Sequence, residues 1–417
     1  KPPRWLAIRR GQHPRGREVD TLTIFPLPGT AYTLGWNPDR AQGMSNDNYT
    51  MYGAEFSLYS GKLRSYLRKK AIPFSEKSPS VLTYRRFIEP RTGVRFIPVL
   101  HTPEDEVLQD TTAIIDALEP RFPEHGVYPT GPAQRLAALL LELYGDEWLL
   151  IPAMHYRWNF PDVNQPFIFE EFGGMAFPWF PKFVRRALGR KIGGRFKAFV
   201  PRLGITESTI PAVEKSFEGV LAELDAHFGQ HDFLFGGRPS IGDFGLIGPM
   251  YAHLYRDPYP GKLMRETAPN VAAWVERMQS PDPADGHFLA DDRIPATLWP
   301  VLERMAREQV PVLVDTEWKL GKWRRDHSGK TKVPGVLEVP RALGEHTFEI
   351  EGTVGKRMVL PHSLWRWQRP RDYYHALATR SRGPASELAQ RLGLRVALSA
   401  RPKVRLTRRD NRFITET

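Results

Sequence analysis

The sequence predicts an α+β fold: a small domain alternating strands and helices, an all-helical domain after it, and a C-terminal extension carrying one β-hairpin. Three observations predict it. Residues 49–123 alternate short strand-like runs with helical patterns. From Pro132 onward the apolar residues recur at three- and four-residue spacing. Beyond residue 296, two strand-like runs flank a glycine-containing turn.

Residues 1–48 are rich in Pro, Gly and Asn, with one apolar run at Thr21–Phe25, and read as an extended arm. Residues 49–125 supply strand Met51–Ala54, helix Gly61–Lys70, a weak strand Ser80–Tyr84, strands Phe96–Leu100 and Val107–Gln109, and helix Thr111–Phe122. That βαβ then ββα order is the order of a thioredoxin-like domain. The all-α domain spans 130–295. Helices are predicted at Arg135–Ile151 and at Pro211–Phe228, where Val213, Phe217, Val220, Leu221, Leu224 and Phe228 share a face. Ser240 three residues before Asp243 is a capping pattern, since hydroxyl and carboxylate can satisfy orphan amides at a helix start. Ala268–Met278 carries Pro in its first turn and the stripe Val271, Trp274, Val275, Met278. Between the first two helices, 159–205 reads as an insertion dense in Phe, Pro and Gly, with one short helix near Lys182–Leu188. Its Phe177–Pro181 stretch suits ordinary loop packing, with a cleft wall or a partner contact as the alternatives. In 296–417 a helix Ala296–Glu308 continues through Val314–Trp323. A hairpin then pairs Thr347–Ile350 with Arg357–Leu360, a short helix covers Asp372–Ala378, and a basic tail ends the chain.

With 417 residues, 41% hydrophobic and 25% charged, the chain can bury several cores. Its most apolar run, Leu139–Pro152, is broken by Glu142, Asp146 and Glu147, so no membrane-spanning helix is expected. The absence of cysteine excludes disulfides, thiolate metal sites and a cysteine nucleophile. No metal-ligand spacing, phosphate loop or serine-hydrolase elbow occurs, and no metal is expected. The net charge of +12 concentrates at the ends: Lys1, Arg4, Arg9, Arg10, Arg15 and Arg17 without an acid, and eight Lys/Arg in 391–417 against Asp410 and Glu416. Solvated tails are the plain reading. Docking onto something anionic, an acidic partner, a larger complex or a lipid surface, is the sharper one, and nucleic acid ranks last because no motif accompanies the charge. The start at Lys1 fits a removed leader, so the expected compartment is the cytoplasm or the mitochondrial matrix.

Three short segments carry polar chemistry. Ser57 heads a turn before a helix, and its ordinary role there is an N-cap. Ile97-Pro98 places a proline beside a strand, where trans is the common isomer and cis would expose residue 97 to an added strand. Asp110-Thr111 opens a helix, and a plain cap would have the same sequence.

The first segment, Tyr52-Gly53-Ala54-Glu55-Phe56-Ser57-Leu58-Tyr59-Ser60-Gly61-Lys62-Leu63-Arg64, resembles the Tyr-Gly-x-x-x-Ser-x-Tyr-Ser-x-Lys-Val-Arg pattern of glutathione transferases, with Leu58 where that family often has Pro. Phe233–Phe244 is similar to the family's Leu-x-Gly-x-x-x-Ser-x-Ala-Asp motif, with Gly242 for Ala. The resemblance spans about residues 49–280. It implies a thioredoxin-like half that binds glutathione as co-substrate. Ser57 would donate to the glutathione sulfur, with Tyr59 and Ser60 as alternatives. A hydrogen bond there plus the helix N-terminus favours thiolate, and each unit of lowered thiol pKa raises the nucleophile about tenfold. The backbone of Ile97, exposed by cis Pro98, would pair with the cysteinyl residue. Asp110 and Thr111, assisted by Gln109, would grip the γ-glutamyl group, and Arg95 or His101 the glycyl carboxylate. Tyr144, Trp148, His155, Tyr156 and Trp158 are candidates to line the cleft for a hydrophobic electrophile. As single sequence positions, most such residues are core.

Two functions follow. One is a glutathione transferase, as a homodimer, that activates the thiolate against an electrophile. The other is a catalytically inactive transferase-fold scaffold, an accessory subunit of a larger assembly, with the mitochondrion as one candidate compartment, docking through its basic arm and tail.

Overall fold

The computed structural model describes residues 48–327, 336–402 and 404–416; the expected N-terminal arm, with Thr21–Phe25 and its basic residues, lies outside the described residues. Strand β1 (Tyr49–Tyr52) turns Tyr49 and Met51 inward and leads through residues 53–57 into α1 (Leu58–Lys69). Strand β2 (Phe74–Lys77) lies parallel to β1, with Tyr49 opposite Phe74.

The weak strand expected at Ser80–Tyr84 is helical instead. The Ser80 hydroxyl accepts from Thr83 N at 3.2 Å and caps a helix. This is α2 (Val81–Thr83), which runs through a π turn at Tyr84–Ile88 into α3 (Glu89–Thr92). The second strand is the preceding Phe74–Lys77, an edge strand too polar to have drawn notice. Strands β3 (Val99–His101) and β4 (Val107–Gln109) complete an antiparallel half, giving the sheet order β2-β1-β3-β4, and α4 (Thr111–Leu118) follows Asp110. This is the thioredoxin-like arrangement.

The helical domain begins with α5 (Pro132–Leu143), a π turn at Tyr144–Trp148, and α6 (Leu150–Trp158). The insertion is not a loop with one short helix. It is a helical hairpin of α7 (Pro161–Ala176) and α8 (Lys182–Lys197), with Phe177–Pro181 at its exposed turn rather than in a cleft wall. Next come α9 (Ile210–Phe228), α10 (Ile241–Ala252), α11 (Pro258–Thr267) and α12 (Pro269–Gln279). The predicted stripes of α9 and α12 are buried. Complete burial of Trp274 alone is worth roughly 1.5–3 kcal/mol of transfer free energy. The predicted capping box is present: Ser240 N donates to Asp243 Oδ2 at 2.8 Å. Across the core, the π turn meets α10 at Gly145 and Gly245. A Cβ on Gly145 would sit 2.4 Å from the Gly245 carbonyl carbon, so only glycine admits this approach, which positions Asp146 and Glu147.

The extension is more ordered than its sequence suggested. Helices α13 (Trp299–Glu308) and α14 (Val310–His327) precede strand β5 (Val336–Glu338). The predicted hairpin pairs β6 (Glu345–Ile350) with β7 (Thr353–Met358) through the two-residue turn Glu351-Gly352, both at positive φ, so Thr353–Gly355 belong to the strand. The short helix expected near Asp372–Ala378 is the end of α15 (Pro361–Ala376), and α16 (Gly383–Arg391) and α17 (Arg395–Ser399) follow. Nor is the tail a free basic arm. Strands β8 (Thr407–Arg409) and β9 (Arg412–Glu416) form a hairpin that β5 joins in the order β5-β9-β8. Arg405 pairs with Asp372, and Arg412 lies 3.3 Å from Glu338, so two of the tail's charges meet acids of the same chain at the surface.

Candidate functional site: a thioredoxin-like clamp covered by the C-terminal extension

The turn before α1 is held from two sides. Ser57 Oγ accepts from Ser60 N at 3.4 Å, the N-cap arrangement, while Ser60 Oγ accepts from Ala54 N at 3.2 Å. From below, buried Arg157 donates to Phe56 O at 2.9 Å and forms a bidentate pair with Asp257 at 2.6 and 2.7 Å. Ser57 is half-buried, and its hydroxyl stands at the positive end of α1. Tyr59, the alternative hydroxyl, donates instead to Asp146 O at 3.2 Å, and burial, with Glu147 and Asp146 nearby, pushes its pKa well above the ordinary phenol.

The Ile97-Pro98 bond is cis, as the segment's context suggested. Asp110 sits at φ +83° and caps α4, its Oδ1 accepting from Thr112 N at 3.0 Å and Ala113 N at 3.3 Å. Thr111 is buried, and its Oγ1 has no hydrogen-bond partner among the described residues.

The other carboxylate oxygen of Asp110 faces the extension. Its Oδ2 lies 3.7 Å from Arg366 Nη2, 3.8 Å from His362 Nε2 and 3.9 Å from Arg408 Nη1. Arg408 also donates to the Gln109 side chain and, at 3.4 Å, to its carbonyl. Asn411 Nδ2 donates to Thr92 O at 2.7 Å, and the Arg341 guanidinium stacks 4.5 Å from the Phe96 ring, next to Ile97. Trp365 and Phe413 (5.7 Å) form an aromatic lid flanked by His362 and Arg408. Side chains of α15 and the β8–β9 hairpin therefore occupy the γ-glutamyl end of the expected ligand groove.

Behind this contact lies a buried charge network. Lys62 Nζ reaches Glu142 Oε1 and Asp146 Oδ2, both at 2.7 Å. Arg366 lies 3.3 Å from Asp146, Arg369 lies 3.2 Å from Glu142 and pairs with Asp116, and His362 Nδ1 bonds Glu147 at 2.7 Å. Burial alone would raise the Asp110 pKa, but Arg366, His362 and Arg408 overcome it and hold the carboxyl well below the usual range. Burial alone would lower His362, but Glu147 and Asp110 pull it up to about 9, so it is imidazolium at neutral pH. The network balances positive and negative groups, the condition for keeping charges in an interior.

The remaining predicted residues fall elsewhere. Arg95 is exposed and pairs with Glu89 at 2.7 Å, and His101 bonds Asp105 at 2.8 Å. The residues expected to line a second-substrate cleft lie in the interior instead. Tyr144 and Trp158 are packed in the core, and Trp148 donates to Glu308 Oε2 at 3.0 Å beneath Arg357 and Phe348. Tyr156 stacks on Phe160, and His155 bonds Glu214 at 2.8 Å, with burial lowering its pKa. Sequence reasoning missed His362, Arg366 and Arg408. The only local signal was alternating basic and aromatic residues in Pro361–Asp372, a pattern also typical of a solvated helix face.

Comparison with known proteins decides the ancestry. The glutathione S-transferase N-terminal domain matches residues 51–126, and the glutathione S-transferase C-terminal domain matches 207–277. The chain carries both domains of the glutathione S-transferase family. Solved transferases similar to it include one from Rhodospirillum rubrum, 15% identical, covering 60% of this chain and 96% of that one at a TM-score of 0.37. Another, from Methylobacterium radiotolerans in complex with glutathione sulfonate, is 22% identical, covering 60% of this chain and 100% of that one at a TM-score of 0.35. The β-etherase LigF from Sphingobium sp. strain SYK-6 is 16% identical, covering 57% of this chain and 97% of that one at 0.39. No curated protein matches the chain. The extension whose side chains meet Gln109 and Asp110 lies outside both matched segments.

Proposed function

We propose that this glutathione S-transferase-family chain is a non-catalytic scaffold whose glutathione clamp is filled by its own C-terminal extension. One observation carries the reading: Asp110 and Gln109, the groups that would grip the γ-glutamyl end, are engaged by Arg366, His362 and Arg408. A γ-glutamyl ammonium would have to displace guanidinium groups already at the carboxylate. The Ser57 hydroxyl serves α1 as its cap, a role that needs no ligand. On this reading the chain is an accessory subunit, in the cytoplasm or the mitochondrial matrix, and light scattering of the native assembly reads its stoichiometry. Among the described residues, no helix is long and apolar enough to cross a membrane.

A second reading, a transferase that admits glutathione when the extension lifts, is favoured by unspent hydrogen-bonding capacity at the same place. Thr111 Oγ1 and Arg366 Nε and Nη1 are buried without hydrogen-bond partners among the described residues. There Ser57 would activate the thiolate against a hydrophobic electrophile. Titration of the full chain with glutathione separates the two: no saturable heat at millimolar ligand supports the scaffold, and saturable heat supports the gated enzyme.

A further inference from the structure

We propose that the turn of the α7–α8 hairpin and the outer face of α8 dock onto an anionic lipid bilayer surface. This inference stands apart from the reading of the glutathione clamp.

The hairpin is rigid. A Cβ at Gly173 would come within 1.9 Å of Arg185 O, and one at Gly189 within 1.8 Å of Phe169 O. The two helices therefore touch backbone to backbone, and glycine at both positions is what allows it. Its inner side is anchored: Phe172 packs 4.5 Å from Phe56 and 6.3 Å from Trp158.

The outer side is unlike the rest of the surface. Over Lys182–Lys197, α8 carries Lys182, Arg185, Arg186, Arg190, Lys191, Arg195 and Lys197 and no Asp or Glu. Among the described residues, an acidic partner is seen for Lys182, with Glu170 at 3.0 Å. Phe183, Arg186, Arg190 and Lys197 recur at helical spacing and are all exposed. At the turn, Trp179 is 60% and Phe183 75% exposed, with Phe180 beside them. Large aromatics held open in water next to a cationic, acid-free helix have one chemical complement that uses both features. Anionic headgroups neutralise the guanidinium and ammonium groups, while the rings settle at the headgroup–acyl boundary. A nucleic acid or acidic protein partner would use the charge, but a polyanion offers no apolar medium for three rings at a convex turn.

The test is co-sedimentation of the full chain with vesicles of equal parts phosphatidylglycerol and phosphatidylcholine, and with pure phosphatidylcholine vesicles. The proposal expects binding to the anionic vesicles that weakens as salt rises, and little to the neutral ones. In Arg186→Glu/Arg190→Glu/Lys191→Glu, each charge removed should weaken partitioning about fivefold or more. Trp179→Ser/Phe183→Ser changes only exposed side chains and should also lose binding. Brominated lipid should quench the wild type more than Trp179→Phe. Because the whole chain is basic, Arg380→Glu/Arg395→Glu/Arg401→Glu, three exposed residues outside α8, is the control for net charge and should bind as the wild type does. Equal loss in that control, undiminished binding in the α8 triple variant, or no sedimentation with anionic vesicles would each overturn the proposal.

Discussion

Arg366 Nη2 lies 3.7 Å from Asp110 Oδ2 and 3.3 Å from Asp146 Oδ2, so one guanidinium of the extension neutralises a carboxylate of the thioredoxin-like domain and one of the helical domain at once. All three groups are withdrawn from solvent. The contact joins the two family domains to the extension through charge, and removing one member strands the others.

Arg366→Ala should therefore destabilise the fold by about 3–5 kcal/mol, because the carboxylates keep their burial and lose their counter-ion. Arg366→Met, which refills the volume but not the charge, should recover little. Urea unfolding of the variants measures both. A loss below about 1 kcal/mol would mean that water reaches the pocket.

The docking of α15 should weaken in alkali. His362 has a folded pKa of about 9, raised above the ordinary value near 6.5. Its contribution is thus fully present below about pH 6.5 and is lost as pH rises through 9. The 35% exposure of its side chain lets solvent screen part of the effect. Melting temperature against pH should fall more steeply over that window in the wild type than in His362→Gln. Identical slopes would remove His362 as the cause.

Ser57→Ala should cost about 1 kcal/mol, the value of a lost N-cap. If the hydroxyl serves only the helix, the variant should show no change in thiolate absorbance with glutathione present. A wild-type thiolate signal that Ser57→Ala abolishes would support the gated enzyme.

Asp243→Ala should cost about 2–4 kcal/mol, since the carboxylate accepts from Ser240 N at 2.8 Å, Leu234 N at 3.0 Å and Trp274 Nε1 at 3.3 Å in a buried position. Thermal unfolding measures it. Because this residue shapes the helical domain alone, its loss should not change any glutathione response per folded molecule.

The legible parts of the fold were local ones. The Ser240–Asp243 capping box, the stripe of α9 and the strand–turn–helix around Ser57 are each decided within a dozen residues, so periodicity and capping chemistry disclose them. The α7–α8 hairpin was not legible, because Pro166 and two glycines inside α7 and three glycines inside α8 read as loop signals, whereas Gly173, Gly189 and Gly193 serve close packing. The candidate site was half legible. Local context pointed to the cis Ile97-Pro98 bond and to Asp110 as a helix cap, but the groups that meet Asp110 do not announce themselves. Arg408 and Gln109 are 299 positions apart, and no spacing rule links such residues. A basic C-terminal run reads as a solvated tail until the sheet that folds it back is seen.

Isothermal titration of the full chain with glutathione, alongside Arg408→Ala, tests the central claim most directly. The account predicts no saturable heat for the wild type at millimolar glutathione, because the extension holds Gln109 and Asp110. Saturable binding by the wild type would contradict it, whatever Arg408→Ala does.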